Sequence, residues 1–65
     1  MRRDERLDAI IPSLADTGSV SVTELTGRLG ASPATIRRDL ELLEEQNLLT
    51  RSHGGAILNG TLYEL

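Results

Sequence analysis

Two stretches of this chain hold its clearest chemistry: Ser32-Pro33-Ala34-Thr35-Ile36-Arg37-Arg38-Asp39-Leu40 and, one helical stretch later, Arg51-Ser52-His53-Gly54-Gly55-Ala56. Ser32 is a strong N-cap type, and Pro33 suits the first helical position, where its missing N–H would have no intrahelical partner. The first turn, Pro33-Ala34-Thr35, contains no acid, so its free N–H groups and the positive end of the helix dipole stay available to an anion. Arg37 and Arg38 follow one turn on. Arginine presents a planar fork of donors that matches phosphate oxygens or the edge of guanine. A helix start of this kind faces an anion.

Each of these residues also has a purely structural reading. Glu41 lies four positions from Arg37 and three from Arg38, so ordinary intrahelical pairs worth about 0.2–0.5 kcal/mol would also account for both arginines. Ser32 and Thr35 can donate hydroxyl hydrogen bonds to a nucleic-acid backbone, or can serve as cap and first-turn residues. His53-Gly54-Gly55 either sets a small tip into a minor groove or is a tight turn and nothing more. Asp39 falls beside the apolar stripe, where an arginine partner suits it better than a base, because phosphates repel a carboxylate.

Composition bounds the rest. The 65 residues carry seven Lys+Arg and ten Asp+Glu, a net charge of −3. Judged globally, that counts against nucleic-acid binding. The distribution softens the objection, because every strong base is an arginine, and these fall mainly in the N-terminal tail, at Arg37-Arg38 and at Arg51. No cysteine and a single histidine leave no disulfide and no usual set of metal ligands, and no cofactor is implied. They also leave no nucleophile–base pair, and no Gly-rich phosphate cradle between strand and helix is present, so catalysis has no support. The chain has no membrane-length apolar run and no secretory signal pattern, and it reads as cytoplasmic. Asn59-Gly60-Thr61 matches a glycosylation acceptor triplet, a coincidence in a chain without secretory features.

The elements that would position these residues are short. Leu7, Ile10, Ile11 and Leu14 trace one helical face that ends near Gly18, with a kink expected between Asp8 and Pro12. Ser21-Val22-Thr23-Glu24 matches a capping box, flanked by the staple pair Val20 and Leu25, and opens a second helix of about two turns that stops at Gly30. Gly27 inside it costs on the order of 1 kcal/mol relative to alanine, so packing of Val22, Leu25 and Leu29 must hold it. Ile36, Leu40 and Leu43 lie within about 60° of one another around a third helix, which Asn47 can terminate. Leu48–Ser52 and Ala56–Leu58 then read as strands joined through His53-Gly54-Gly55, and the residues around Val20 can add a third strand.

Two short helices joined through Gly30-Ala31-Ser32 have helix-turn-helix spacing, in which the second helix enters the major groove by its N-terminal residues. The expected fold is mainly α with a small β wing, a winged helix-turn-helix of three helices and a two- or three-stranded antiparallel sheet. At Thr35-Ile36-Arg37-Arg38-Asp39-Leu40 and His53-Gly54-Gly55-Ala56 the chain resembles the N-terminal winged helix-turn-helix domain of the DeoR family of bacterial transcriptional regulators. The resemblance runs over roughly residues 3–58 and includes Val20-Ser21-Val22, Glu24-Leu25, Leu29-Gly30 and Leu43-Glu44.

That resemblance implies a repressor of sugar metabolism whose Ser32, Ala34, Thr35, Arg37 and Arg38 meet operator double-stranded DNA, with Arg51, His53 and Gly54 flanking it. It also implies a homo-oligomeric parent protein with a separate C-terminal domain that binds a phosphorylated sugar. Residues 1–58 would then be the DNA-binding domain and 59–65 the start of a linker. Pro12, Thr26 and Asn47 depart from the family pattern, and so does Leu42, which lies about 120° from Ile36 around the helix. The competing expectation is a winged-helix protein-interaction module, motivated by the net negative charge and by Leu42 and Leu62 as exposed apolar groups.

Overall fold

Apolar spacing, two serine caps and a set of left-handed stops divide the chain into its elements. The computed structural model describes residues 1–60. Within them lie α1 (Arg3–Thr17), β1 (Ser19–Ser21), α2 (Val22–Leu29), α3 (Pro33–Glu45), β2 (Leu49–Ser52) and β3 (Gly55–Leu58). The strands form one antiparallel sheet in the order β1-β3-β2. This is the expected winged helix-turn-helix, with the third strand supplied by the residues around Val20.

The caps behave as their residue types require. Ser21 Oγ accepts from the Glu24 N–H at 3.1 Å, and Ser32 Oγ accepts from the Thr35 N–H at 3.2 Å. The return arm of the expected capping box, from the Glu24 carboxylate to the Ser21 N–H, is not made among the described residues. Gly18 and Gly30 close α1 and α2 in the left-handed region at φ 84° and 67°. Asn47 does the same work beyond α3 at φ 64°. There the Leu48 N–H donates to the Leu43 carbonyl and the Asn47 N–H to the Glu44 carbonyl, the paired bonds of a Schellman end. Asn59 reinforces that end by donating from Nδ2 to the Asn47 carbonyl at 2.6 Å.

The core is drawn from every element. Ile10, Leu14, Val20, Val22, Leu25, Ile36, Leu40, Leu43, Leu49 and Ala56 are buried together, with Leu7, Leu29 and Leu48 packed at their margin. α1 runs unbroken through Pro12, whose ring removes a single hydrogen bond on the exposed side without dividing the helix. Leu42 is half-buried, so it is not the exposed apolar group expected of it; the large apolar side chains that are exposed are Met1, Ile11 and Ile57. Leu62 lies outside the described residues. Among those residues no helix is long and apolar enough to cross a membrane.

The hairpin corrects one expectation. Gly55 belongs to β3, opposite both Ser52 and Ser21, so only His53 and Gly54 form the turn. Gly54 has φ 83° and His53 does not share the positive sign, which is the pattern of a type II turn. Gly55 is needed for another reason. A Cβ there would overlap the Val20 carbonyl oxygen and sit 3.2 Å from Ser21 Cα, so glycine is what lets β1 lie against β3.

Candidate nucleic-acid interface

The start of α3 is positioned from both ends. On one side, Gly30 turns the chain out of α2, and Ser32 caps the next helix. Ser32 Oγ accepts the Thr35 N–H and donates to Thr35 Oγ1 at 3.0 Å. Its hydroxyl is therefore committed to the cap, while the Thr35 hydroxyl hydrogen remains to be given elsewhere. Thr35 is half-buried and Ala34 exposed. Among the described residues the Ala34 N–H has no acceptor, because the residue four positions earlier lies outside the helix.

On the other side, α3 is fixed by an ion pair that the sequence only half announced. Arg6 Nε donates to Asp39 Oδ2 at 2.6 Å and Arg6 Nη2 to Asp39 Oδ1 at 3.2 Å, a two-point clamp between α1 and α3. Asp39 is 2% exposed and Arg6 13%. The Asp39 hydrogen bond, helped by its Coulombic attraction and opposed by desolvation, raises the Arg6 pKa above the ordinary arginine value. Asp39 is thus the structural partner of an arginine, as expected. The signal for Arg6 was available, since Arg6 and Ile10 are four apart and a charge on the buried face of a helix requires a buried partner.

Arg37 and Arg38 are exposed and make no hydrogen bond or ion pair among the described residues. The intrahelical pairing with Glu41 is therefore not formed. Being adjacent, the two arginines face different clefts. Arg37 lines the groove between α3 and the hairpin, together with Glu44, Arg51, His53 and Gly54. Arg38 lines a notch between the starts of α1 and α3, together with Arg3, Arg6, Ala34, Thr35 and Asp39. Arg3 carries no local sequence signal for this placement.

Arg51 is placed differently from the other site arginines. Its backbone N–H and its Nε both donate to the Glu44 carboxylate, at 3.0 Å and 2.8 Å, and Nη1 lies 3.7 Å from Glu41. The two bonds from Arg51, the backbone one first, hold the Glu44 carboxyl below the usual carboxylate range. Arg51 thus joins the hairpin to α3, and its charge is largely spent on acids of that helix. The hairpin has a second tether, from the Val22 N–H at the start of α2 to the Gly54 carbonyl at 2.9 Å. His53 stays exposed at the tip.

The arrangement is an exposed helix start with two uncommitted arginines, flanked by a hairpin tied to both helices of the helix-turn-helix. A helix so presented fits a groove about 12 Å wide, with the hairpin reaching beside it.

Known proteins share this pattern. Residues 6–61 match the DeoR-like helix-turn-helix domain. The chain is 48% identical over 59 residues to the lactose phosphotransferase system repressor of Streptococcus mutans, covering 91% of this chain and 24% of that protein. It is 48% identical over 58 residues to the glycerol-3-phosphate regulon repressor of Escherichia coli, covering 89% and 23%. To the putative galactitol utilization operon repressor of Escherichia coli it is 46% identical over 56 residues, covering 86% and 50%. The chain thus spans about a quarter of the length of the first two relatives. No solved structure matches it.

Proposed function

The chain belongs to the DeoR-like helix-turn-helix domain family, and from that premise we propose that it is the operator-reading head of a repressor of carbohydrate-utilisation genes. One observation carries the reading. Arg37 and Arg38 stand exposed and unpaired at the acid-free start of α3, while the acids around them, Asp39, Glu41 and Glu44, are engaged by Arg6 and Arg51. The DNA-facing set is Ser32, Ala34, Thr35, Arg37, Arg38, Arg51, His53 and Gly54. In it Ser32 acts through the cap it makes for Thr35, and Arg51 acts by holding the hairpin.

The named relatives repress a lactose phosphotransferase system and a glycerol-3-phosphate regulon. By analogy, the parent protein is a homo-oligomer whose other domain binds a phosphorylated sugar, with residues 59–65 leading toward it. Such a protein works in the cytoplasm, where the chromosome is. The alternative of a protein-interaction module is weakened by the partial burial of Leu42.

The test is a titration of the isotopically labelled domain with a short mixed-sequence duplex at low salt. Amide shifts concentrated at residues 32–38 and 51–54, and lost as salt rises, support the reading. Silence there, where nonspecific affinity is expected at roughly 10⁻⁴–10⁻⁶ M, overturns it.

A further inference from the structure

We propose that the notch between the starts of α1 and α3 is a DNA-backbone phosphate site in which Arg3 and Arg38 grip one phosphodiester and the Thr35 hydroxyl donates a hydrogen bond to it. The proposal rests on the DNA-reading assignment above. It adds a contact made from α1, outside the helix-turn-helix itself.

Charge selects the occupant. Arg3, Arg6, Thr35, Arg38 and Asp39 meet at the notch, and its single acid is already held by Arg6 through two hydrogen bonds. Arg3 and Arg38 have no acidic partner among the described residues. Two arginines without acidic partners among the described residues therefore line one notch on a chain whose net charge is −3. Like charges held together on an otherwise acidic chain call for an anion between them, and a guanidinium fork matches the two free oxygens of a phosphodiester. Thr35 adds polarity of the right kind. Its Oγ1 accepts from Ser32, so its own hydrogen is available to donate.

Position then selects a DNA strand over a free anion. Arg37 and Arg38 are neighbours on α3, about 100° apart around it, and line different clefts, one toward the hairpin and one toward α1. With α3 seated in the major groove, the hairpin side meets one wall of the groove and the notch meets the other. Arg38 and Arg3 are then backbone-positioning residues, whereas Arg37 is left to face the bases. Arg6 touches no DNA in this arrangement. It acts as a positioning residue by neutralising Asp39, which would otherwise repel the phosphate.

The test measures affinity against salt for the wild-type chain, Arg3→Ala, Arg3→Lys and Arg37→Ala on two short duplexes of unrelated sequence, with circular dichroism to verify folding. Each phosphate contact contributes a slope of about −0.9 in log K against log salt, so Arg3→Ala, which leaves Arg38 alone on the shared phosphate, is expected to flatten the slope by part of that amount. The wild-type advantage over Arg3→Ala then shrinks, by at most about threefold, between about 50 and 200 mM salt. The loss is equal on both duplexes, because a phosphate contact carries no sequence information. Arg3→Lys is expected to restore the slope.

An unchanged slope in Arg3→Ala, on DNA whose binding Arg37→Ala weakens, overturns the notch and leaves the DNA-reading assignment standing. A wild-type chain with no salt-dependent DNA binding overturns both. Inorganic phosphate alone is expected to leave the Arg3 and Arg38 Nε–H resonances in place. Shifts equal to those caused by duplex would overturn the assignment to a DNA strand.

Discussion

Arg6 Nε lies 2.6 Å from Asp39 Oδ2, and this bond ties the start of α1 to the middle of α3 across 33 positions of sequence. The orientation of the recognition helix is thereby set from outside the helix-turn-helix. Removing one partner of a buried pair leaves an uncompensated charge, whereas replacing both with apolar groups can be neutral. Arg6→Ala is expected to lower Tm by at least about 10 °C, since each kcal/mol lost shifts Tm by about 4–8 °C in a domain of this size. The double substitution Arg6→Met with Asp39→Leu is expected to recover most of it. Thermal denaturation of the single and double variants measures both, and equal losses in the two would contradict the clamp.

Arg37→Ala and Arg38→Ala are expected to weaken DNA binding while leaving Tm within about 3 °C of wild type, since neither side chain has a partner to lose. The two losses should differ in kind. A base contact is worth roughly 1–3 kcal/mol of discrimination, so Arg37→Ala should reduce preference among sequences by about tenfold. Arg38→Ala should weaken all duplexes alike. Parallel titrations on a panel of sequences separate the two.

Glu44 is the residue through which acid should loosen the hairpin. Its folded carboxyl lies below the ordinary value because the Arg51 backbone N–H, and next the Arg51 guanidinium, bond to the charged form. The folded state thus binds fewer protons at this site than the unfolded one. The stabilisation is complete above the unfolded value of about 4.3 and vanishes as pH falls through the lower folded value. Wild type should therefore lose Tm more steeply than Glu44→Gln below about pH 4.3, the unfolded glutamate value. A carbon-detected titration of the side chain gives the direction of the shift independently. At neutral pH, Glu44→Gln should also steepen the salt dependence of DNA binding by up to about 0.9, by releasing Arg51 toward phosphate.

Three glycines should respond to alanine in three ways. Gly27 has a negative φ and open space where a Cβ would stand, so Gly27→Ala should stabilise by about 0.5–1 kcal/mol. Gly54→Ala must hold φ at 83° and should cost about 1–2 kcal/mol. Gly55→Ala should cost more than either, because its Cβ overlaps the Val20 carbonyl and must part β1 from β3. Denaturant unfolding of the three variants gives the order, and a Gly55→Ala variant as stable as wild type would contradict the strand register.

Much of this was legible in the residues. Ser21 and Ser32 announced their caps, Asn47 its left-handed turn, and Ile36, Leu40 and Leu43 their buried face, because each signal is local and falls within one helical turn. Arg51 was legible as a residue near the site but not as a tie to Glu44, since that bond depends on how the hairpin folds back along α3. Arg3 was not legible for the same reason. Only the packing of α1 against α3 brings it to the notch with Arg38. Gly55 was read as part of the turn because glycine is common there, whereas its actual constraint is a neighbouring strand more than thirty residues away in sequence.

The strand order β1-β3-β2 also governs when this domain can come into being. β1, formed early, has β3 as its sheet neighbour, and the Val22 N–H finds its acceptor in Gly54. A ribosome adding about 5–20 residues per second releases α1, α2 and α3 well before those partners exist. Until Leu58 is synthesised, the nascent chain holds a recognition helix with no hairpin beside it and an apolar Val20 with no strand to cover it. The interval lasts about a second, and a message that ends inside it yields a fragment without a sheet rather than a weaker reader of DNA.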